Sequence, residues 1–198
     1  WTRARLGNNR KLDSVVLKAG QKEAILADLN RFFASHERYE TLGIPWRRGY
    51  LLYGPPGTGK TELAKVCAGA AGLELYEVEY ADRDGNSLSG RDRYRSLQIS
   101  QVFLKGGKDV ALLFDEVEDV FPPISTEAAQ LIARLDSADS APSGSVSGKA
   151  WVNQILETNP VPVIWVTNRI EQIDPAFRRR FQYHLELKSP PPGARETL

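Results

Sequence analysis

Methionine is absent from all 198 residues, cysteine occurs once and histidine twice. No apolar run approaches the ~18 residues that a membrane-crossing helix needs, and no signal-peptide pattern opens the chain. A sequence without an initiating methionine reads as a piece of a longer protein, with both ends expected to be cuts. The single cysteine, Cys67, rules out an internal disulfide, and without a Cys/His cluster there is no zinc site. A reducing, cytoplasmic setting fits that usage. A charge excess is also missing: 26 basic residues against 25 acidic ones leave +1, which speaks against nucleic acid or a membrane surface as the partner. What the chain does have is 41% apolar residues over a length that supports one sizeable core.

The rest is organised around Gly49 to Thr61, Gly-Tyr-Leu-Leu-Tyr-Gly-Pro-Pro-Gly-Thr-Gly-Lys-Thr. Tyr50 to Tyr53 is expected as a buried strand, Gly54 to Gly59 as a glycine-rich turn, and Lys60 as the start of a helix. The spacing Gly-x-x-x-x-Gly-Lys-Thr suits a polyphosphate. Gly54, Gly57 and Gly59 let the backbone curl its N–H groups inward with no side chain in the way, and Pro55, Pro56 and Thr58 complete the cradle. The helix start adds unpaired amides and the positive end of its dipole. Lys60 would reach the β and γ phosphates, and the Thr61 hydroxyl would ligate Mg²⁺.

Around this stretch the chain alternates helix and strand. Gln21 to Ser35 places Ile25, Leu29, Phe32 and Phe33 on one helical stripe, with His36 at the helix end as a surface residue. After the cradle, Leu63, Val66, Cys67 and Ala70 mark a buried helix face that Gly72 terminates, so Cys67 reads as a core residue. Leu73 to Tyr80 and Tyr183 to Leu187 alternate, as edge strands do; Val110 to Phe114 and Val161 to Thr167 are continuous, as strands covered on both faces are. Helices are expected over Asp92 to Leu104, Ala128 to Leu135 and Lys149 to Glu157, and loops over Ala81 to Gly90 and Asp136 to Gly148. Leu12 to Leu17 is expected as a short extended segment. Three central and two edge strands with helices between them describe an α/β fold, a three-layer α/β/α sandwich on a five-stranded, mostly parallel sheet.

The cradle, the Asp115-Glu116 pair and Asn168 all fall at the carboxyl ends of the central strands, where ligands bind in such sheets. Nucleotide hydrolysis needs a metal, a group that activates water and positive charge for the transition state. Asp115 suits the metal shell, Glu116 the water, and the Asn168 amide a sensor of either the γ-phosphate or the water. Arg178, Arg179 and Arg180, flanked by Phe177 and Phe181, fit a solvated face, a nucleic-acid contact or fingers toward a neighbour's phosphate.

With those residues in place, the chain resembles an AAA+ ATPase module of the P-loop NTPases. Gly54 to Thr61 is similar to its Walker A motif, Leu112 to Glu116 to its Walker B, and Asn153 to Leu156 to the helix before its sensor strand. Thr167-Asn168-Arg169 with Asp174 to Phe181 resembles the second region of homology of the narrower AAA family. The lead-in Leu42 to Tyr53 is similar to mitochondrial AAA translocases that assist respiratory-complex assembly, and to bacterial relatives. The resemblance implies ATP and Mg²⁺ as cofactors, with Lys60 and Thr61 on phosphate and metal and Asp115 on metal. It makes Glu116 the catalytic base, Asn168 the sensor, and Arg179 and Arg180 fingers acting across a hexameric ring of identical subunits. Val15 and Val16 would line the adenine pocket.

The same likeness divides the chain into a linker or strap over 1–11, the large ATPase subdomain over 12–190, and the start of a helical lid over 191–198. Unfolding members carry an aromatic-hydrophobic-Gly pore loop where this chain has Ser87-Leu88-Ser89-Gly90. The implied function is ATP binding and hydrolysis in an oligomeric remodelling or chaperone-like machine acting on a protein substrate. The competing reading is a nucleotide-gated scaffold with little turnover.

Overall fold

The computed structural model of the chain describes residues 2–3, 17–18, 20–82, 84–121 and 148–189. In chain order the elements are β1 (Thr2–Arg3), α1 (Gln21–Phe33), α2 (His36–Leu42), β2 (Gly49–Tyr53), α3 (Lys60–Ala70), β3 (Glu74–Glu77), α4 (Gly90–Leu104) and β4 (Val110–Phe114). There follow a 3₁₀ turn (Val117–Asp119), α5 (Gly148–Thr158), β5 (Val163–Thr167), a second 3₁₀ turn (Ile170–Gln172), α6 (Pro175–Arg178) and β6 (Tyr183–Glu186).

One sheet runs in the order β1-β3-β4-β5-β2-β6, and all its neighbours pair in parallel except β1 with β3. Side chains alternate between the faces, so each central strand feeds two cores. Tyr50, Leu52, Ala111, Leu113, Ile164 and Val166 pack with α1 and α3 through Ile25, Leu29, Leu63 and Cys67. Leu51, Leu112, Phe114, Val163 and Trp165 pack on the other side with Leu97 of α4, Val152 and Ile155 of α5, and Phe177 of α6. Double coverage is why these strands read as unbroken apolar runs, and the parallel five-stranded α/β sandwich stands as expected.

Several boundaries differ from the sequence reading. The sheet has a sixth strand, because Thr2 and Arg3 pair antiparallel with Glu77 and Tyr76 and cover what would otherwise be an open edge at β3. His36 begins α2 instead of closing α1. The chain turns at Ala34 and Ser35, and His36 packs edge-on against Trp46 with ring centroids 4.6 Å apart. Helix α4 starts at Gly90, two residues before the expected start, because the Ser89 hydroxyl caps it by accepting from the Asp92 N–H at 3.2 Å. β5 starts at Val163, since the Val161 N–H donates sideways to Gln101 Oε1 of α4 at 2.9 Å and Pro162 has no N–H to give. Within the expected loop 81–90, Ala81 and Ser87 form an isolated antiparallel bridge. The expected helix over Ala128 to Leu135, most of the loop over Asp136 to Gly148, and Leu12 to Val16 lie outside the described residues.

Candidate functional site

β2 delivers the chain into the loop Gly54 to Gly59 at the carboxyl end of the sheet. Gly54 takes φ 142°, Gly57 74° and Gly59 81°. At Gly54 a side chain is excluded twice over: the φ is unfavourable for L-residues, and an added Cβ would sit 2.0 Å from the Leu187 carbonyl oxygen. The closeness arises because the Leu187 N–H donates to Tyr53 O at 2.8 Å, laying the exit of β6 against the loop. Gly59, left-handed, is the N-cap of α3, and the first helical bond runs from Leu63 N–H to Gly59 O at 2.8 Å. The amides of the first turn are therefore left for a ligand.

Lys60 is buried, 4% exposed. Its ammonium donates to Gly54 O at 2.9 Å, Pro55 O at 2.7 Å and Thr58 Oγ1 at 3.3 Å, so the loop is wrapped around the charge it would present. Burial pushes the Lys60 pKa below the ordinary lysine value, while Asp115 and Glu118 pull it back up. Thr61 Oγ1 donates to Asp115 Oδ2 at 2.5 Å, which joins the cradle to the tip of β4. A hydroxyl and a carboxylate oxygen at this separation are hard donors of the kind Mg²⁺ accepts, and the φ-positive glycine loop beside them suits a polyphosphate.

Asp115 Oδ1 accepts the Glu116 N–H at 2.8 Å, and Glu116 itself is exposed. Among the described residues it is the one non-glycine with positive φ, at 51° with ψ 54°. This bend sends its side chain outward while the next residue, Val117, turns into the core. Asn168 is half-buried at the end of β5, whose register sets Thr167 beside Tyr53, the last residue before the cradle.

Two participants escape the sequence reading. Glu118 Oε2 accepts the buried Thr167 hydroxyl at 2.7 Å, and Thr167 Oγ1 in turn accepts the Arg169 N–H at 2.9 Å, so the turn carrying Asn168 is tied to the acidic segment. Arg93, from α4, is buried and donates to the carbonyl oxygens of Asp115 and of Glu116, the latter at 3.1 Å. Its signal was available: it lies four residues before Leu97 on the buried stripe Arg93, Leu97, Ser100 and Gln101. Tyr94 and Leu104 of the same helix are partly buried against the core that holds Leu97.

The arginines lie elsewhere. Gln182 N–H donates to Gly49 O at 3.0 Å and Gly49 N–H to Gln182 Oε1 at 2.6 Å, so the segment after α6 meets the first residue of β2. The cradle follows the last residue of that strand, about 13 Å away at ~3.3 Å per residue. Arg179 is exposed, and Arg180 Nε donates to Glu157 Oε1 at 2.9 Å. Both line an open cleft of about 560 Å³ with Arg47, Glu157 and Gln182. Arg178 Nε donates to Ile173 O at 2.7 Å and braces α6. Val15 and Val16 lie outside the described residues.

Residues 50–189 match the family described as "ATPase family associated with various cellular activities (AAA)". The chain belongs to the AAA family of ATPases. It is 34% identical over 175 residues to the mitochondrial chaperone BCS1 of Danio rerio, a match covering 86% of this chain and 38% of that protein. With the probable mitochondrial chaperone bcs1 of Schizosaccharomyces pombe it shares 42% over 175 residues, 87% of this chain and 35% of the relative. This AAA chain thus spans little more than a third of the length of these relatives. Neither is bacterial, so the bacterial side of the lead-in likeness gains no support from them. Among solved structures, the FIGL-1 AAA domain in complex with ADP superposes with a TM-score of 0.59 at 21% identity, over 98% of this chain and 60% of that one, which is a likeness of fold.

Proposed function

We propose that this AAA module binds ATP with Mg²⁺ and hydrolyses it to ADP and phosphate as one subunit of an oligomeric, chaperone-like machine. The observation that carries the reading is the 2.5 Å contact between Thr61 and Asp115, which brings a phosphate cradle and an acidic strand end into one site. Thr61 and Asp115 are the residues that would hold Mg²⁺, which would supply positive charge to offset the charge developing on the phosphates.

The chain's own residues do the rest. The amides of Gly57 to Thr61 orient the phosphates. The Lys60 ammonium exchanges its carbonyl partners for phosphate oxygens. Glu116, exposed at the bend, accepts a proton from water, and Asn168 holds that water or the γ-phosphate in line. Arg179 and Arg180, at the far end of the sheet from their own cradle, act toward the site of a neighbouring subunit. The Arg180–Glu157 pair is exposed, worth at most about 1 kcal/mol, and exchangeable. The BCS1 relatives, named as mitochondrial chaperones, support a remodelling role on a protein substrate.

The test is steady-state turnover of the intact protein carrying Glu116→Gln. Turnover should drop by about 100-fold or more while nucleotide is still bound. Unchanged hydrolysis would sink the reading.

A further inference from the structure

We propose that Arg93 is a positioning residue for hydrolysis: it fixes the backbone bend that aims Glu116. The inference rests on the assignment of Glu116 above and extends it to a residue on helix α4.

Arg93 sits in the first turn of α4, where its N–H donates to Ser89 O at 3.0 Å, and its side chain passes under the tip of β4. The residue is 1% exposed, among the most buried large side chains in the chain. Its guanidinium lies over the Phe114 ring with Cζ 4.6 Å from the centroid. One terminal nitrogen donates to the Asp115 carbonyl oxygen and the other to the Glu116 carbonyl oxygen. A planar, always-charged fork bound to two successive peptide oxygens holds the two peptide planes at a set angle. The residue between those planes is Glu116, the one described non-glycine held at positive φ.

A left-handed bend at a glutamate does not persist by itself, since its Cβ crowds the following carbonyl. Two supports are visible. Asp115 Oδ1 accepts the Glu116 N–H from one side, and Arg93 fixes the two carbonyls from the other. Asp115 is already engaged with Thr61, so Arg93 is the support that does not also touch the cradle. Removing it should let Glu116 relax toward an ordinary backbone conformation and swing its carboxylate away from the water, while Gly54 to Thr61 stays formed.

The test compares Arg93→Met, which keeps bulk without donors, and Arg93→Lys, which keeps charge without the fork, in the intact protein. Nucleotide Kd and kcat are measured separately. Arg93→Met should lower kcat by about 30-fold or more with Kd for ATP changed by less than about threefold, and Arg93→Lys should fall between it and wild type. If Arg93→Met turns over within about threefold of wild type, or loses activity only through a weaker Kd, the proposal is overturned. Should Arg93→Met fail to fold, Arg93→Lys is read by the same split: lower kcat at unchanged Kd supports the proposal, and unchanged kcat overturns it. Wild-type turnover by Glu116→Gln would instead overturn the assignment of Glu116, whereas a deficient Glu116→Gln beside a fully active Arg93→Met would overturn this inference alone.

Discussion

Glu118 shows what a single carboxylate does when it faces two directions at once. It accepts the Thr167 hydroxyl and helps Lys60 stay protonated against the pull of burial. We expect Glu118→Ala to lower turnover by about tenfold and stability by about 1–2 kcal/mol, with Glu118→Gln recovering most of the stability but not the turnover. Thermal melts and kinetics on the two variants separate these effects. Gly54→Ala should be far worse, because the new Cβ meets the Leu187 carbonyl and the φ is wrong as well; a loss of about 3 kcal/mol or more, or no folded protein, is the expected result of a denaturant titration. Cys67, buried in the core, has its thiol pKa pushed up to about 12 by desolvation, with Lys22 opposing weakly. The folded state therefore holds its proton between pH 9 and 12 while the unfolded state loses it, so this group's contribution to stability is present below about pH 9 and declines as pH rises toward 12. At pH 8 a thiol-alkylating reagent should label native protein at least about 100-fold more slowly than protein in urea. The sequence marked Gly54, Lys60, Thr61, Asp115 and Glu116 because the proposed phosphate and metal chemistry depends on their spacing. Glu118 was hidden behind the acids that precede it, and Arg93 because a charge within an apolar stripe runs against the pattern being counted.

At the scale of elements, legibility followed coverage. β2, β4 and β5 are packed on both faces, so their residues are apolar without interruption and their ends were readable to within two residues. α2 has no buried residue at all, and hence no stripe to count. Two-residue β1 has no period, and only its partner β3 reveals it. What joins α2 to the end of α1 is instead a cluster of aromatic and charged groups, with Tyr39 edge-on to Phe32 and His36 edge-on to Trp46. Trp46 stacks on Phe32 with centroids 4.7 Å apart and donates from Nε1 to Phe32 O at 3.2 Å. Arg48 forms a two-pronged pair with Asp28, at 2.9 and 2.6 Å, with its Cζ 5.5 Å from the Phe32 ring centroid. This cluster sets where β2 begins and so, five residues on, where the cradle lies. Trp46→Ala should cost about 2 kcal/mol by removing half-buried aromatic area and one hydrogen bond, as read by chemical denaturation. Nucleotide affinity of the fraction still folded should be little changed, since the cluster is at the opposite end of the strand.

Across the whole molecule, the sheet separates two kinds of chemistry. Cradle, acids and Asn168 gather at the carboxyl ends of the strands, whereas Arg179 and Arg180 stand at the amino end of β2, too far to serve their own site. A subunit with Arg179→Ala and another with Lys60→Ala should each be nearly inactive in hydrolysis, yet a mixture of the two should recover activity at the interfaces that pair an intact cradle with an intact finger, about a quarter of them for random mixing. No recovery on mixing would count against action between subunits. The account as a whole rests on one nucleotide site formed where three strand ends meet, and equilibrium titration of a fluorescent ATP analogue, with and without Mg²⁺, into wild-type and Lys60→Ala protein addresses it most directly. The expected result is saturable binding by wild type that Mg²⁺ strengthens and that Lys60→Ala weakens by about 100-fold or more; equal affinity of the two proteins, indifferent to Mg²⁺, would contradict it.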